Sequence, residues 1–198
     1  MKIETKRLIL RKPRKSDWKD ILEGARELDV SKNLELVPYP YKKKDAIWFV
    51  NYAIKKWNKK EKDGYEFFIE LKSEKKVIGV TAVTIKKDRG VGSTGSWINK
   101  KYWRKGYILE AKIPIIDFAF NKLKLRRLES GAWTKNTASN EMSKKLGYKL
   151  EGTKRKGKFC KATGKVCDSN FYGLLKEDWK TNRKRLIKGL KEKLKKQK

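Results

Sequence analysis

The chain has no histidine in 198 residues and only two cysteines, Cys160 and Cys167. Without an imidazole there is no Ser-His-Asp or Cys-His arrangement to activate a nucleophile, and two thiols alone do not complete a common zinc site. The cysteines therefore read as reduced and non-catalytic, and no metal is expected. No run of about 18 apolar residues is present to span a bilayer, and the opening MKIETKRLIL lacks the apolar stretch of a secretion signal. The sequence thus reads as a soluble, cytoplasmic protein with no membrane partner. Acidic residues are scarce too: 23 Asp and Glu face 54 Lys and Arg, a formal net charge of +31. Such a field draws in polyanions, nucleic acid among them, and repels polycations.

What remains is enough for one folded domain. Hydrophobic residues make up 38% and aromatics 11%, so a core can form although 39% of residues are charged. Arg7 to Arg11 is a short apolar run stopped by Pro13, and Ser16 offers an N-cap to a helix carrying Ile21, Leu22, Ala25 and Leu28 on one face. Pro38-Tyr39-Pro40-Tyr41 demands an extended loop. Asp45 then caps a second helix, with Phe49, Val50, Ala53 and Trp57, that ends near Asp63-Gly64. Tyr65 to Leu71 and Val77 to Ile85 are β-rich runs joined by a polar turn, with Gly92 to Asn99 as a third neighbour.

A helix follows Gly106, interrupted by Pro114, which removes a hydrogen bond. Leu128 to Thr134 reads as a strand, Asn136 to Leu146 as a helix closed by Gly147, and Asp168 to Leu175 as a last strand after a basic loop. The expected order is β-α-α-β-β-β-α-β-α-β-β. Residues 1–179 form the domain; 180–198 form a basic tail with ten Lys or Arg and one acid, Glu192. The tail is either an arm for RNA or an amphipathic helix that packs Leu186, Leu190 and Leu194 on the domain.

The stretch SWINKKYWRKGYILEA, residues 96 to 111, passes from a strand through a basic turn into a helix. The N–H groups and dipole at a helix start favour an anion, phosphate above all. Gly106 lets the backbone approach closely, while Arg104 and Lys105 add positive charge. This turn, followed by LRRLESGAWTKNTASNEMSKKLGYKLEG, resembles the GNAT acetyltransferase superfamily, and specifically the RimJ/RimL branch. Further likeness lies in TKRLILR, PYPY, VIGVTAV and FYGLLKEDW, so it covers about residues 4 to 179. Ile108 departs from the family's small residue at that position.

The resemblance implies an α+β fold with a mostly antiparallel sheet of about six to seven strands, about four flanking helices and a splayed strand pair holding the coenzyme. It implies acetyl transfer from acetyl-CoA to an amine. Trp97, Ile98, Asn99, Trp103, Arg104, Lys105, Gly106, Tyr107, Ile108, Asn136 and Ser139 are then the coenzyme-binding candidates. An N–H near Trp97 to Asn99 is the expected donor to the oxyanion, unless it is an ordinary ladder group. Ser139 is either the proton donor to the leaving thiolate or a helix-cap hydroxyl; Asn136 is a ligand of the pantetheine amides, a cap, or both. Tyr148 reads as a core ring.

No carboxylate appears in the loop Lys154 to Phe159, where some relatives carry a glutamate. Glu129, Glu70 and Glu110 remain as possible bases, with water as the alternative. An α-amine, with a pKa near 8, needs less help than a lysine at about 10.4. The expected acceptor is therefore the N-terminus of a protein, a ribosomal protein above all. The alternatives are a disabled scaffold that binds RNA or the ribosome, and an acetyltransferase for a small-molecule amine.

Overall fold

The computed structural model describes residues 1–86 and 90–195. Its strands are β1 (Lys2–Glu4), β2 (Leu8–Arg11), β3 (Gly64–Leu71), β4 (Lys76–Lys86), β5 (Val91–Ile98), β6 (Arg127–Trp133), β7 (Lys149–Cys160) and β8 (Lys165–Leu175). Its helices are α1 (Trp18–Ala25), α2 (Leu28–Ser31), α3 (Lys43–Asn58), α4 (Tyr107–Asp117), α5 (Thr137–Leu146) and α6 (Lys176–Lys195). All eight strands join one sheet in the order β1-β2-β3-β4-β5-β6-β8-β7. Every neighbouring pair is antiparallel except β5 with β6.

The alternation of β3 sorts the core into two layers, because successive side chains of a strand point to opposite faces. Phe67 and Ile69 face α4 and α6 with Ile115, Leu128, Tyr172 and Leu186. Phe68 faces the other way, against Ile21 of α1 and Val50 of α3. Among the described residues no helix is long and apolar enough to cross a membrane.

Several local expectations change. Among the described residues there are eight strands and six helices, where about six to seven and about four were expected. The segment Lys154 to Phe159, expected as a loop, belongs to β7, whose residues are exposed almost throughout. It carries no apolar alternation to announce a strand and is held by backbone pairing with β8, with register shifts at Leu150/Gly152 and Lys154/Lys158. Ser16 does not cap α1. A 3-10 turn at Lys15–Asp17 precedes it, and Asp17 accepts a 2.7 Å bond from the Arg14 N–H. Asp45 lies inside α3 and reaches back to the Lys42 N–H at 2.8 Å, and α3 ends at Asn58, short of Asp63. Helix α4 runs through Pro114 and passes into a π-helical turn at Phe118–Lys122.

A buried ionic cluster anchors the start of α1 to the sheet. The Arg11 guanidinium makes a two-pronged contact with Asp17, at 2.8 and 2.9 Å, and its Nε donates to Glu70 on β3. Removing one member of such a cluster strands the others as uncompensated buried charges. Arg11→Ala is expected to lower the free energy of unfolding by about 3–5 kcal/mol in urea titration. Arg11→Lys keeps the charge but loses the fork, and should fall between wild type and Arg11→Ala.

Candidate functional site

Strands β5 and β6 pair at only three positions, Val91 with Arg127, Gly92 with Leu128 and Ser93 with Glu129. Past them β5 stays with β4 as far as the Gly79–Ile98 pair, while β6 stays with β8 as far as Trp133–Ser169. The two strands part, and a cavity of about 1040 Å³ lies against Thr94 to Ile98 on one side and Ser130 to Trp133 on the other. The Asn99 N–H donates to the Ile78 carbonyl at 2.8 Å. By the alternation of an antiparallel ladder, the N–H and C=O of Ile98 then face the opposite edge, toward the gap. The Ile98 carbonyl accepts a 2.8 Å bond from the Trp103 indole, and its N–H is left aimed at the cavity.

The chain leaves β5 through a 3-10 turn capped by Asn99, whose Oδ1 accepts from the Lys101 N–H at 3.0 Å. Arg104 and Gly106 both take left-handed conformations, φ 62° and 81°, and α4 starts at Tyr107. Glycine adopts this conformation without strain, so the turn is built around Gly106. It is braced by Glu110 in the first turn of α4. That carboxylate is buried and accepts from the Thr5 hydroxyl at 2.7 Å, the Arg7 N–H at 2.8 Å and Arg7 Nε at 2.7 Å. Arg7 Nη2 in turn donates to the Lys105 carbonyl at 3.0 Å, and the guanidinium lies 4.1 Å from the centre of the Tyr107 ring.

Of the candidates named from sequence, Trp97, Ile98, Trp103, Arg104, Gly106, Tyr107, Ile108, Asn136 and Ser139 line this one cavity, whereas Asn99 and Lys105 do not. Asn99 is the buried cap, and the Lys105 ammonium sits 5.6 Å from the Tyr102 ring centre. Ile108 packs its side chain against the hydrophobic core. Asn136 Oδ1 accepts from the Ser139 N–H at 3.1 Å, so it caps α5 while also facing the cavity. The Tyr148 ring is buried as expected, and its hydroxyl lies 2.8 Å from Thr94 Oγ1, a bridge to β5 just past the last β5–β6 pair. Burial pushes that hydroxyl's pKa up.

The expected bases are elsewhere. Glu129 pairs with Lys86 at 2.8 Å and Arg127 at 3.6 Å at the foot of the parting strands, outside the cavity lining. Its bond with Lys86, together with the charge of Arg127, holds its carboxyl below the usual range, which makes it a poor base. Glu70 is locked to Arg11 and Glu110 to Arg7. The carboxylates that do line the cavity are Asp29 and Glu35, bound by Lys100 at 2.7 Å and Lys158 at 2.5 Å. Hydrogen bonds from Lys100 and Lys32 bring Asp29 down to about 2.

Two contributions to the cavity were not recognised in the sequence. Asn140 is buried, and its amide donates to the carbonyls of Trp133 and Asn136, while its oxygen accepts from Asn170 and the Tyr172 hydroxyl at 2.9 and 2.7 Å. It ties the end of β6, the start of α5 and β8 together. The other is α6, which begins at Lys176, so residue 180 falls inside it; residues 196–198 of the tail lie outside the described residues. Leu186 and Leu194 are buried and Leu190 packs on the core, while Arg185, Gly189 and Lys193 line the cavity.

Residues 7–149 match the model of the acetyltransferase (GNAT) domain. The chain belongs to the GNAT acetyltransferase family. It is 28% identical over 178 residues to the N-acetyltransferase p20 of Bacillus licheniformis, covering 88% of this chain and 96% of that one. It is similar to the crystal structure of a GNAT-family acetyltransferase from Bacillus anthracis, with a TM-score of 0.75 and 26% identity over 89% of this chain and 99% of that one. The fold is also that of the ribosomal-protein-S5-alanine acetyltransferase from Vibrio fischeri, with a TM-score of 0.75 and 18% identity over 90% and 98% of the two chains. The parted β5–β6 pair and the glycine turn therefore belong to an N-acetyltransferase.

This acetyltransferase also buries a cation in its cavity. Lys112 lies on α4 one turn beyond Ile108, is only 7% exposed, and forms no ion pair with any described residue. Loss of hydration brings its pKa down from 10.5 to about 8. Between those two values the unfolded chain holds a proton that the folded chain does not, so stability gains with rising pH over that window; below about 8 the charged side chain carries its full burial penalty. Lys112→Met is expected to raise the melting temperature by several degrees at pH 7, with the gain shrinking toward pH 10, as followed by thermal unfolding at stepped pH.

Proposed function

We propose that the cavity takes acetyl-CoA, with its diphosphate at the Gly106 turn and its pantetheine arm along the exposed edge of β5, and that the acceptor is the α-amine at a protein N-terminus. Acetyl-CoA is the acetyl donor that GNAT acetyltransferases use. The observation that carries the reading is the parted β5–β6 pair: it frees the Ile98 N–H beside a cation-rimmed helix start, within one cavity. A backbone N–H fixed in this way stabilises negative charge growing on the thioester oxygen without having to reorganise. Ser139 lines the opposite wall and supplies the proton to the departing thiolate. Asn136, used as a cap through its oxygen, retains its amide N–H groups for the pantetheine carbonyls.

The acceptor follows from the scarcity of a base. Both cavity carboxylates are held by lysines, so an amine that is already partly neutral is favoured. An α-amine titrates near 8 and meets that need; a lysine at about 10.4 does not. The Vibrio fischeri enzyme of the same fold is named for an alanine of a ribosomal protein, which accords with a protein N-terminus. A free polyamine is disfavoured by the net charge of +31.

Coenzyme A release with acetyl-CoA and a panel of short peptides tests this. Peptides with a free N-terminus should turn over, at a rate that rises with pH until about 8 as the amine loses its proton. The same peptides blocked at the N-terminus but carrying an internal lysine should be at least tenfold slower. Turnover of blocked lysine peptides or polyamines without turnover of free N-termini would overturn the acceptor assignment. Gly106→Glu should abolish acetyl-CoA binding in calorimetry, because its carboxylate would seat itself among the cations that await phosphate.

A further inference from the structure

Along α6, Leu186, Leu190 and Leu194 recur every fourth residue and fix one face of the helix to the domain. A neighbouring stripe with the same spacing, Arg185, Gly189 and Lys193, looks into the cavity. Lys193 reaches the mouth of the Gly106 turn: a Cβ at Gly106 would lie 3.8 Å from Lys193 Nζ and 3.6 Å from Arg7 Nη2. The end of the helix is held there by Leu194, whose carbonyl accepts from Lys6 Nζ at 3.3 Å. Further back, Arg183 Nε pairs with Asp117 of α4 at 2.7 Å. At Gly189 there is open space, with no atom within 4 Å of where a Cβ would stand, so the stripe leaves room beside its two cations.

Lys193 has no carboxylate partner among the described residues, and it is brought to the same turn as Arg7, whose guanidinium is paired with Glu110, at a helix start that is itself electropositive. An unpaired ammonium at an electropositive helix start is unfavourable unless an anion sits beside it. We propose that α6 is a wall of the coenzyme site and that Lys193 pairs with the diphosphate held at the Gly106 turn, making the C-terminal helix a phosphate-binding element. The proposal rests on the acetyl-CoA reading above. It gives part of the charge of the tail a use inside the site. A charge-assisted bond to a phosphate is shorter and stronger than a neutral one.

Calorimetry with full-length protein separates the possibilities. Lys193→Ala should weaken acetyl-CoA binding about tenfold and flatten its dependence on salt, as expected from loss of one charged hydrogen bond. Lys193→Arg should restore most of the affinity, and Lys188→Ala, an exposed change outside the cavity, should leave it unchanged. S-acetylpantetheine, which carries no phosphate, should bind wild type and Lys193→Ala equally. Equal acetyl-CoA affinity in Lys193→Ala and Lys188→Ala overturns the role of α6, and so does an equal loss for both ligands in Lys193→Ala, which would mean a disturbed helix. Failure of wild type itself to bind acetyl-CoA overturns the coenzyme reading instead.

Discussion

Everything distinctive in this protein depends on two neighbouring strands ceasing to pair. A sheet normally satisfies its backbone groups by continuing its ladders, and an interior strand edge left open carries a cost. Here β6 is committed to β8 along seven register positions and β5 to β4 along eight, so the parting after Ser93 and Glu129 is fixed by the outer partners. The opened wedge is then supported from within. Asn140 satisfies carbonyls of β6 and α5 with one amide, Tyr148 reaches Thr94, and the Trp103 indole takes the Ile98 carbonyl. What remains available is a polar backbone edge facing a cavity.

The second constraint is electrostatic. In a chain this basic the few buried and half-buried carboxylates work as struts. Glu110 binds the N-terminal loop to α4, Asp17 and Glu70 share Arg11, and Asp117 holds both the Trp179 indole and Arg183 of α6. These attachments join the two ends of the chain to the helix that follows the glycine turn. They also keep these carboxylates turned to structural partners and out of the cavity lining. The cavity is consequently lined by several cations, and both of its carboxylates, Asp29 and Glu35, are paired with lysines.

Much of the site was legible in the sequence because its parts are short-range. The left-handed Gly106, the capping Asn136 with Ser139 three residues on, the buried Tyr148 and the leucine spacing of α6 each follow from neighbours one to four residues apart. Strand β7 was not legible, because its side chains are solvated on both faces and only its backbone is paired. The surroundings of Glu129 were hidden for a related reason: Lys86 and Arg127 come to it from sheet pairing that no local pattern announces.

By itself, then, the sequence determined most of the alternation of elements, the glycine turn, the excess of positive charge and the absence of imidazole chemistry. The tertiary structure decided which of these meet. Arg7 contacts Glu110 across 103 residues, and Lys193 is brought beside Gly106 by a helix that starts only at Lys176. Local propensity acts over a turn of helix or a pair of strand residues, whereas contacts of this separation are selected only when the whole core closes and buries Leu186 and Leu194 on the α4 side of the sheet.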